Sequence, residues 1–123
     1  MSSIKRFEDI LAWKKARKLV KEIYLTCSSG DFYRDFDLKD QVRRAAVSAM
    51  TNVAEGFGRK TNRDFARFLD VARGSTLEVQ SLLYVASDLN YIDSEEFRRL
   101  YGLANETLAL IAGLTSYLRR NAV

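Results

Sequence analysis

No proline interrupts this 123-residue chain, and its apolar residues recur every three or four positions over long stretches. Proline removes a backbone donor and breaks helices, so a chain without it is free to form long ones. Recurrence at three- and four-residue steps is typical of helices that bury one face. The sequence therefore predicts an all-α fold.

The predicted fold is an antiparallel up-down four-helix bundle, a single domain spanning residues 1–123. Three of the four starts carry a capping signal: D-L-K-D from Asp37, T-N-R-D from Thr61 and D-S-E-E from Asp93. Such side chains accept hydrogen bonds from the free N–H groups of a first turn. Short connections between long helices favour antiparallel neighbours. The helices are predicted over residues 7–28, 38–57, 62–89 and 94–120, and SSGDFYRDFD is read as a turn-rich connection.

Composition excludes several kinds of chemistry. The chain has no histidine, so neither a Ser-His-Asp triad nor the usual zinc sites are available. Its single cysteine, Cys27, has no partner for an intrachain disulfide, which fits a reducing cytoplasm. The first residues lack the apolar core of a signal peptide. We expect a soluble cytoplasmic protein that uses no metal or cofactor.

The fourth predicted helix is apolar over more of its circumference than one core contact requires. Nineteen residues between Arg99 and Arg119 carry one charge, Glu106. Burial within the monomer is one alternative explanation, and a membrane span, which Asn105 and Glu106 would make costly, is another. The preferred interpretation is a subunit interface. Its predicted members are Gly102, Leu103, Ala109, Leu110, Gly113 and Tyr117.

Basic side chains concentrate around the turn between the second and third helices. The whole chain has a net charge of +4, and arginine forks match phosphate oxygens. Phe57 and Phe65 flank the cluster, although Phe65 is on the core side. A surface of ordinary ion pairs with Asp64 and Asp70 is the competing interpretation. The predicted nucleic-acid-binding residues are Arg43, Arg44, Arg59, Lys60, Arg63 and Arg67; a less specific basic stripe is Lys14, Arg17, Lys18 and Lys21.

Two polar groups lie near the apolar faces. One group comprises Ser48, Asn52 and Glu55, and the other comprises Gly74, Ser75 and Glu78. A buried carboxylate among them would need a partner such as Arg44 or an arginine of a neighbouring subunit. No positioned nucleophile, glycine-rich phosphate loop or metal-ligand spacing accompanies these residues. We therefore expect them to fix helix register or subunit docking, and we expect no enzyme activity.

Three motifs in order resemble the 23S rRNA intervening-sequence protein family from about Phe7 to Leu118. The stretches are FEDILAWKKARKLVKEIY, LKDQVRRAAVSAMTNVAEGFGR and FARFLDVARGSTLEVQSLL. Their most specific parts are Gln41–Ala45, Ser48 with Asn52–Gly56, and Ala72–Ser75 followed by Glu78.

The resemblance implies a bacterial cytoplasmic four-helix bundle that assembles as a ring-like homo-oligomer, typically a pentamer. A more distant similarity is to accessory proteins of diversity-generating retroelements, which bind nucleic acid and a reverse transcriptase. The family provides no catalytic residues to transfer. Two functions remain open: an oligomer that binds RNA or DNA, with a nucleic-acid enzyme as a candidate partner, and a scaffold that binds proteins. A hydrolase or nuclease would need metal-dependent turnover that is lost on changing Glu55 or Glu78.

Overall fold

The computed structural model describes residues 4–121, and over this range it contains helices and turns but no strand. The four long helices confirm the predicted all-α bundle. A single 3₁₀ turn, Phe7–Asp9, precedes them. The helices are α1 (Leu11–Thr26), α2 (Gly30–Arg34), α3 (Phe36–Phe57), α4 (Asn62–Asp88) and α5 (Ser94–Arg120).

The long helices pack in a closed square. Each packs on the next along the chain, with α1 on α3, α3 on α4 and α4 on α5, and α5 returns to α1. As a result α1 and α4 lie diagonally across the bundle, as do α3 and α5. One end carries the α3–α4 turn and the C-terminus of α5. The opposite end carries α2 and the α4–α5 turn.

Side-chain caps fix the starts of the three later long helices. Thr61 accepts a hydrogen bond from the Asp64 backbone N–H at 3.1 Å, and Asp93 accepts one from Glu96 at 2.8 Å. Both predicted caps are confirmed. The predicted cap at Asp37 is wrong, because α3 begins two residues earlier and the Asp35 carboxylate accepts from the Leu38 N–H at 3.2 Å.

Two other boundaries differ from the prediction. The first helix is divided because the backbone of Ile10 is extended, which separates the 3₁₀ turn from α1 and buries the Ile10 side chain. The segment read as a turn contains α2, which buries Phe32 against the core. Both the 3₁₀ turn and α2 are too short to produce a recurring apolar pattern in the sequence.

Gly56 allows the closest approach between α3 and α4. A Cβ at this position would lie 2.8 Å from Phe65 Cδ1 and 2.9 Å from Phe68 Cβ. The absence of a side chain therefore lets the Phe65 ring and the Phe68 side chain pack against the last turn of α3. Gly58 then caps that helix, which ends at the predicted residue 57.

Candidate nucleic-acid interface

The turn between α3 and α4 gathers four basic side chains at one end of the bundle. Arg59 and Lys60 lie in the turn, and Arg63 and Arg67 follow on the first turns of α4. Arg67 pairs with Asp64 at 3.4 Å. Lys60 and Arg63 are exposed and form no ion pair within residues 4–121. Arg59 also lacks a carboxylate partner in the described chain, so three of the four cations are left without an ion pair.

Phe68 organises the arginines of this turn. The Arg59 guanidinium carbon lies 4.3 Å from the centroid of the Phe68 ring, and that of Arg67 lies 5.8 Å from it. Cation–π contacts of this kind hold a guanidinium in place without using its N–H donors. The sequence interpretation did not include Phe68. Its position three residues after Phe65, next to Arg67, was the available signal.

The two phenylalanines predicted to flank the cluster pack in or against the core. Phe57 and Phe65 form an edge-to-face pair with centroids 6.2 Å apart. Phe65 is buried in the core, which confirms its assignment to the core side, and Phe57 is half-buried against the same core. Neither ring is a free platform for a nucleotide base.

The C-terminal turn of α5 adds two arginines that the sequence interpretation did not place here. Asn62 donates a hydrogen bond from Nδ2 to the carbonyl oxygen of Asn121 at 3.2 Å, joining the start of α4 to the end of α5. Arg119 pairs with Asp70, while Arg120 is exposed and forms no ion pair in the described chain. Only the topology could have indicated this proximity, because antiparallel order places the end of α5 beside the start of α4.

Arg43 and Arg44 do not join this cluster. Both lie on α3, about 15 residues before Arg59, and this separation corresponds to roughly 20 Å along the helix axis. The Arg43 guanidinium lies 4.5 Å from the centroid of the Tyr24 ring, its Nη2 donates to the Cys27 carbonyl at 3.5 Å, and its buried Nε has no acceptor. Arg43 therefore supports the contact between α3 and the end of α1. Arg44 is exposed over the α3–α4 groove.

The two polar groups noticed in the sequence meet across α3 and α4. Ser48 and Ser75 are joined by a hydrogen bond of 2.8 Å between their hydroxyls, and Asn52 Nδ2 donates to the Ser48 carbonyl at 2.9 Å. Gln41 donates to Glu78 at 3.5 Å. This seam lines an open hollow of about 310 Å³. It fixes the register of the two helices.

Neither carboxylate of these two groups is buried, so neither needs the arginine partner considered from the sequence. Glu55 and Glu78 are both exposed. Glu78 lies beside Gln41, and Gln41 is about 20 Å from Glu55 along α3. The two carboxylates therefore do not form a pair. Within residues 4–121 no three His, Cys, Asp or Glu side chains lie close enough together to hold a metal ion.

The predicted interface residues on α5 divide into two sets. Leu103 is buried in the monomer core, and this burial explains its apolar character without a neighbouring subunit. Leu110 and Tyr117 are half-buried against the core at the α3–α4 end. Ala109 and Gly113 are exposed, and Gly102 is half-exposed. Between residues 107 and 118 the outward face of α5 is thus small and uncharged, while much of its bulky second stripe packs within the monomer.

No helix in the part of the chain that the structure describes combines the length and apolar character needed to cross a membrane. The described molecule is an all-α bundle with a cluster of basic side chains at one end.

The family follows from comparison with known proteins. A family model described as 23S rRNA-intervening sequence protein matches residues 8–113. The chain belongs to this family, as its motifs predicted. No curated protein matches the sequence.

A solved structure has the same fold. It is a protein of unknown function from the S23 ribosomal protein family of Bacteroides thetaiotaomicron VPI-5482. The TM-score is 0.78 at 18% identity, over 85% of this chain and 98% of that one. At this identity the likeness concerns the fold alone.

Proposed function

We propose that this protein is a non-catalytic, cytoplasmic homo-oligomer that binds the phosphates of RNA or DNA through its basic end. We define the basic end as residues 4–9, 57–67 and 119–121, which carry eight basic and three acidic side chains. The observation that carries the proposal is that Lys60, Arg63 and Arg120 have no ion-pair partner within the described chain. Cations held near one another without partners suit a polyanion.

The chemistry of the cluster favours phosphate over base recognition. Arginine donates paired hydrogen bonds to phosphate oxygens, and Arg59 and Arg67 are oriented by Phe68. Phe57 and Phe65, the rings predicted to flank the cluster, are packed together and offer no free face to a base. Binding of this kind positions a nucleic acid and reads little of its sequence.

Assembly into an oligomer would multiply the positive charge that a nucleic acid meets. A pentamer of this chain carries a net charge of about +20, because each copy contributes +4. In a cyclic ring whose bundles stand along the symmetry axis, the basic ends of all copies would share one face. Oligomerisation is itself part of the proposal, and it is supported by the small, uncharged outer face of α5.

The test is fluorescence anisotropy of labelled single-stranded RNA, duplex RNA and duplex DNA, titrated across salt concentration. Charge reversal by R59E/K60E/R63E/R67E should weaken binding by at least roughly a hundredfold at low salt. A charge-preserving control, R59K/R63K/R67K, should keep most of the affinity. Light scattering and circular dichroism establish that each variant keeps its mass and helix content. Equal binding by wild type and the reversed variant would refute the proposal.

A protein-binding scaffold is the second candidate, and a specific surface favours it. At the end opposite the basic cluster, Tyr33 and Phe36 are 45% and 62% exposed. The buried Lys39 ammonium lies 4.0 and 4.4 Å from the centroids of their rings. Exposed aromatic rings held in fixed positions are common in protein interfaces. A nucleic-acid enzyme is a candidate partner for this surface, and absent nucleic-acid binding by an intact oligomer would favour the scaffold.

A further inference from the structure

An apolar groove runs between α1 and α5. Its first part is a hollow of about 310 Å³ lined chiefly by apolar side chains, including Leu11, Leu110 and Leu114. The outer wall is formed by the exposed Ala109 and Gly113, whose small size leaves the groove open. Leu11 is 63% exposed at its edge. An open apolar groove of this kind gains stability when another surface covers it.

The groove continues into a basic region. A second hollow shares Leu11 and Leu110 with the first and adds Lys14, Lys15 and Lys18. Lys15 pairs with Glu106 at 2.9 Å. Lys14 and Lys18 are exposed and form no ion pair within residues 4–121. The groove therefore presents apolar surface beside two cations that have no counter-ion in direct contact.

A ridge on α4 has the opposite charge. The outward residues Glu78, Ser81, Val85 and Asp88 recur at helical spacing, over about 15 Å. Residues 74–97 contain five acidic side chains and no basic one. Val85 is 41% exposed, and Leu89 beyond it is 50% exposed. The ridge thus combines exposed apolar side chains with unneutralised carboxylates.

The two surfaces match in spacing. On α1 the exposed residues Leu11, Lys14, Lys18 and Lys21 recur at the same steps of three, four and three residues as the ridge on α4. Both stripes therefore present four side chains over the same length of helix, with carboxylates at the two ends of the ridge and lysines at the last three positions of the α1 stripe. Since α1 and α4 lie diagonally across the bundle, one copy cannot join its own groove to its own ridge.

We propose that the α4 ridge of one copy docks in the α1–α5 groove of a second copy, with Glu78 and Asp88 within side-chain reach of Lys14 and Lys21, which lie about 10 Å apart along α1. This inference rests on the proposed oligomer and names its contact. Because different surfaces meet, the contact is head-to-tail and leaves a free groove and a free ridge on every pair. Such contacts close into rings or extend into filaments, and they do not stop at a two-fold dimer. The basic stripe on α1 then serves assembly, and the basic end remains available to nucleic acid.

The test is a charge swap read by light scattering and native mass spectrometry. The groove variant K14E/K21E and the ridge variant E78K/D88K should each fall to the mass of the single chain, 14.1 kDa. Both changes in one chain should restore the assembly, because the swapped charges are again opposite. An equimolar mixture of the two variants should also assemble, with the two chains alternating. The control K60E/R63E, on the basic end, should keep the wild-type mass.

The outcomes separate the two proposals. A monomeric wild type would overturn both the oligomer and this contact. An oligomeric wild type whose mass is unchanged in the groove and ridge variants would overturn the contact and leave the oligomer standing. Dissociation of either variant without rescue by the combined substitutions or by mixing would show that the surfaces meet something other than each other, such as an acidic helix of another protein, and would also overturn the contact.

Discussion

The two ends of the bundle are built from the same helices but use charge differently. The acidic end, residues 27–40 and 88–99, has eight acidic and four basic side chains, whereas the basic end has three acidic and eight basic ones. Two of the eight acidic side chains have a structural task, because Asp35 and Asp93 cap α3 and α5. At the basic end Lys60 and Arg63 have no such task. The comparison therefore distinguishes charged side chains that stabilise the fold from charged side chains that are available to a partner.

The helix dipole does not by itself explain this division, because each end of the antiparallel bundle carries the starts of two long helices and the ends of two others. Both α3 and α5 begin at the acidic end and finish at the basic end. Acidic side chains stabilise the positive N-terminus of a helix, and basic side chains stabilise its negative C-terminus. Arg119 and Arg120 in the last turn of α5 follow this rule. The turn residues Lys60 and Arg63 lie past the end of α3 or at the start of α4, where the rule does not call for a cation.

The largest difference between the ends should appear in nucleic-acid affinity. Removing two cations with K60Q/R63Q should weaken binding roughly ten- to hundredfold at low salt and lower the slope of log K against log salt by about 1.5 to 2. The matched acidic-end variant R34Q/R98Q should change neither quantity appreciably. Anisotropy titrations at several salt concentrations measure both. Equal effects of the two variants would mean that net charge, and not the basic end, governs binding.

The packing that holds the basic end together should be sensitive at Gly56. The substitution G56A places a methyl group within 3 Å of two phenylalanine side chains and should lower the free energy of unfolding by about 1–3 kcal/mol. Thermal or chemical denaturation measures the loss. The control G74A, where nothing lies within 4 Å of the added Cβ, should stabilise the chain by about 0.5–1 kcal/mol. A stabilising G56A would contradict the close approach of α3 and α4.

The caps at the two ends should contribute unequally to stability. The Asp35 carboxylate accepts hydrogen bonds from the Leu38 N–H and, at 2.9 Å, from the Tyr91 hydroxyl. The substitution D35A should cost about 1–2 kcal/mol, and T61A at the basic end about 0.5–1 kcal/mol, because Thr61 is a single cap. Urea denaturation compares the two. A larger loss for T61A would show that the acidic charge is not what secures the acidic end.

Alkaline pH should affect the acidic end through Tyr91. The hydrogen bond to Asp35 raises the pKa of the Tyr91 hydroxyl above its ordinary value of 10.0. The folded state therefore favours the protonated hydroxyl. Its stabilising effect is complete below pH 10 and is lost as the pH rises through the raised pKa. Denaturation followed from pH 8 upward should show this small loss in wild type and a smaller one in Y91F; identical profiles would contradict it.

The sequence predicted the bundle because its signals were local and repeated. Caps at Thr61 and Asp93 and the break at Gly58 were readable from a few residues each. The cap of α3 was misplaced because Asp35 and Asp37 are both acids near the boundary, and only the backbone geometry of Asp35 distinguishes them.

The candidate site was harder to predict, because it depends on which elements meet. Arg43 and Arg44 stand in the same basic segment as Arg59, but a helix of 22 residues keeps them far apart. Arg120 is distant in sequence and close to the cluster in the fold. Leu103 was assigned to an interface because a helical stripe does not reveal whether its cover is the same chain or another.

The central claim, that nucleic acid contacts the basic end, is tested most directly by photo-crosslinking. Single-stranded RNA containing 4-thiouridine is irradiated with the wild-type protein, and the crosslinked peptides are located by mass spectrometry. The account predicts crosslinks within residues 57–68 and 117–121, and their loss in R59E/K60E/R63E/R67E. Crosslinks confined to residues 27–40 or 88–99, or none at all, would contradict it.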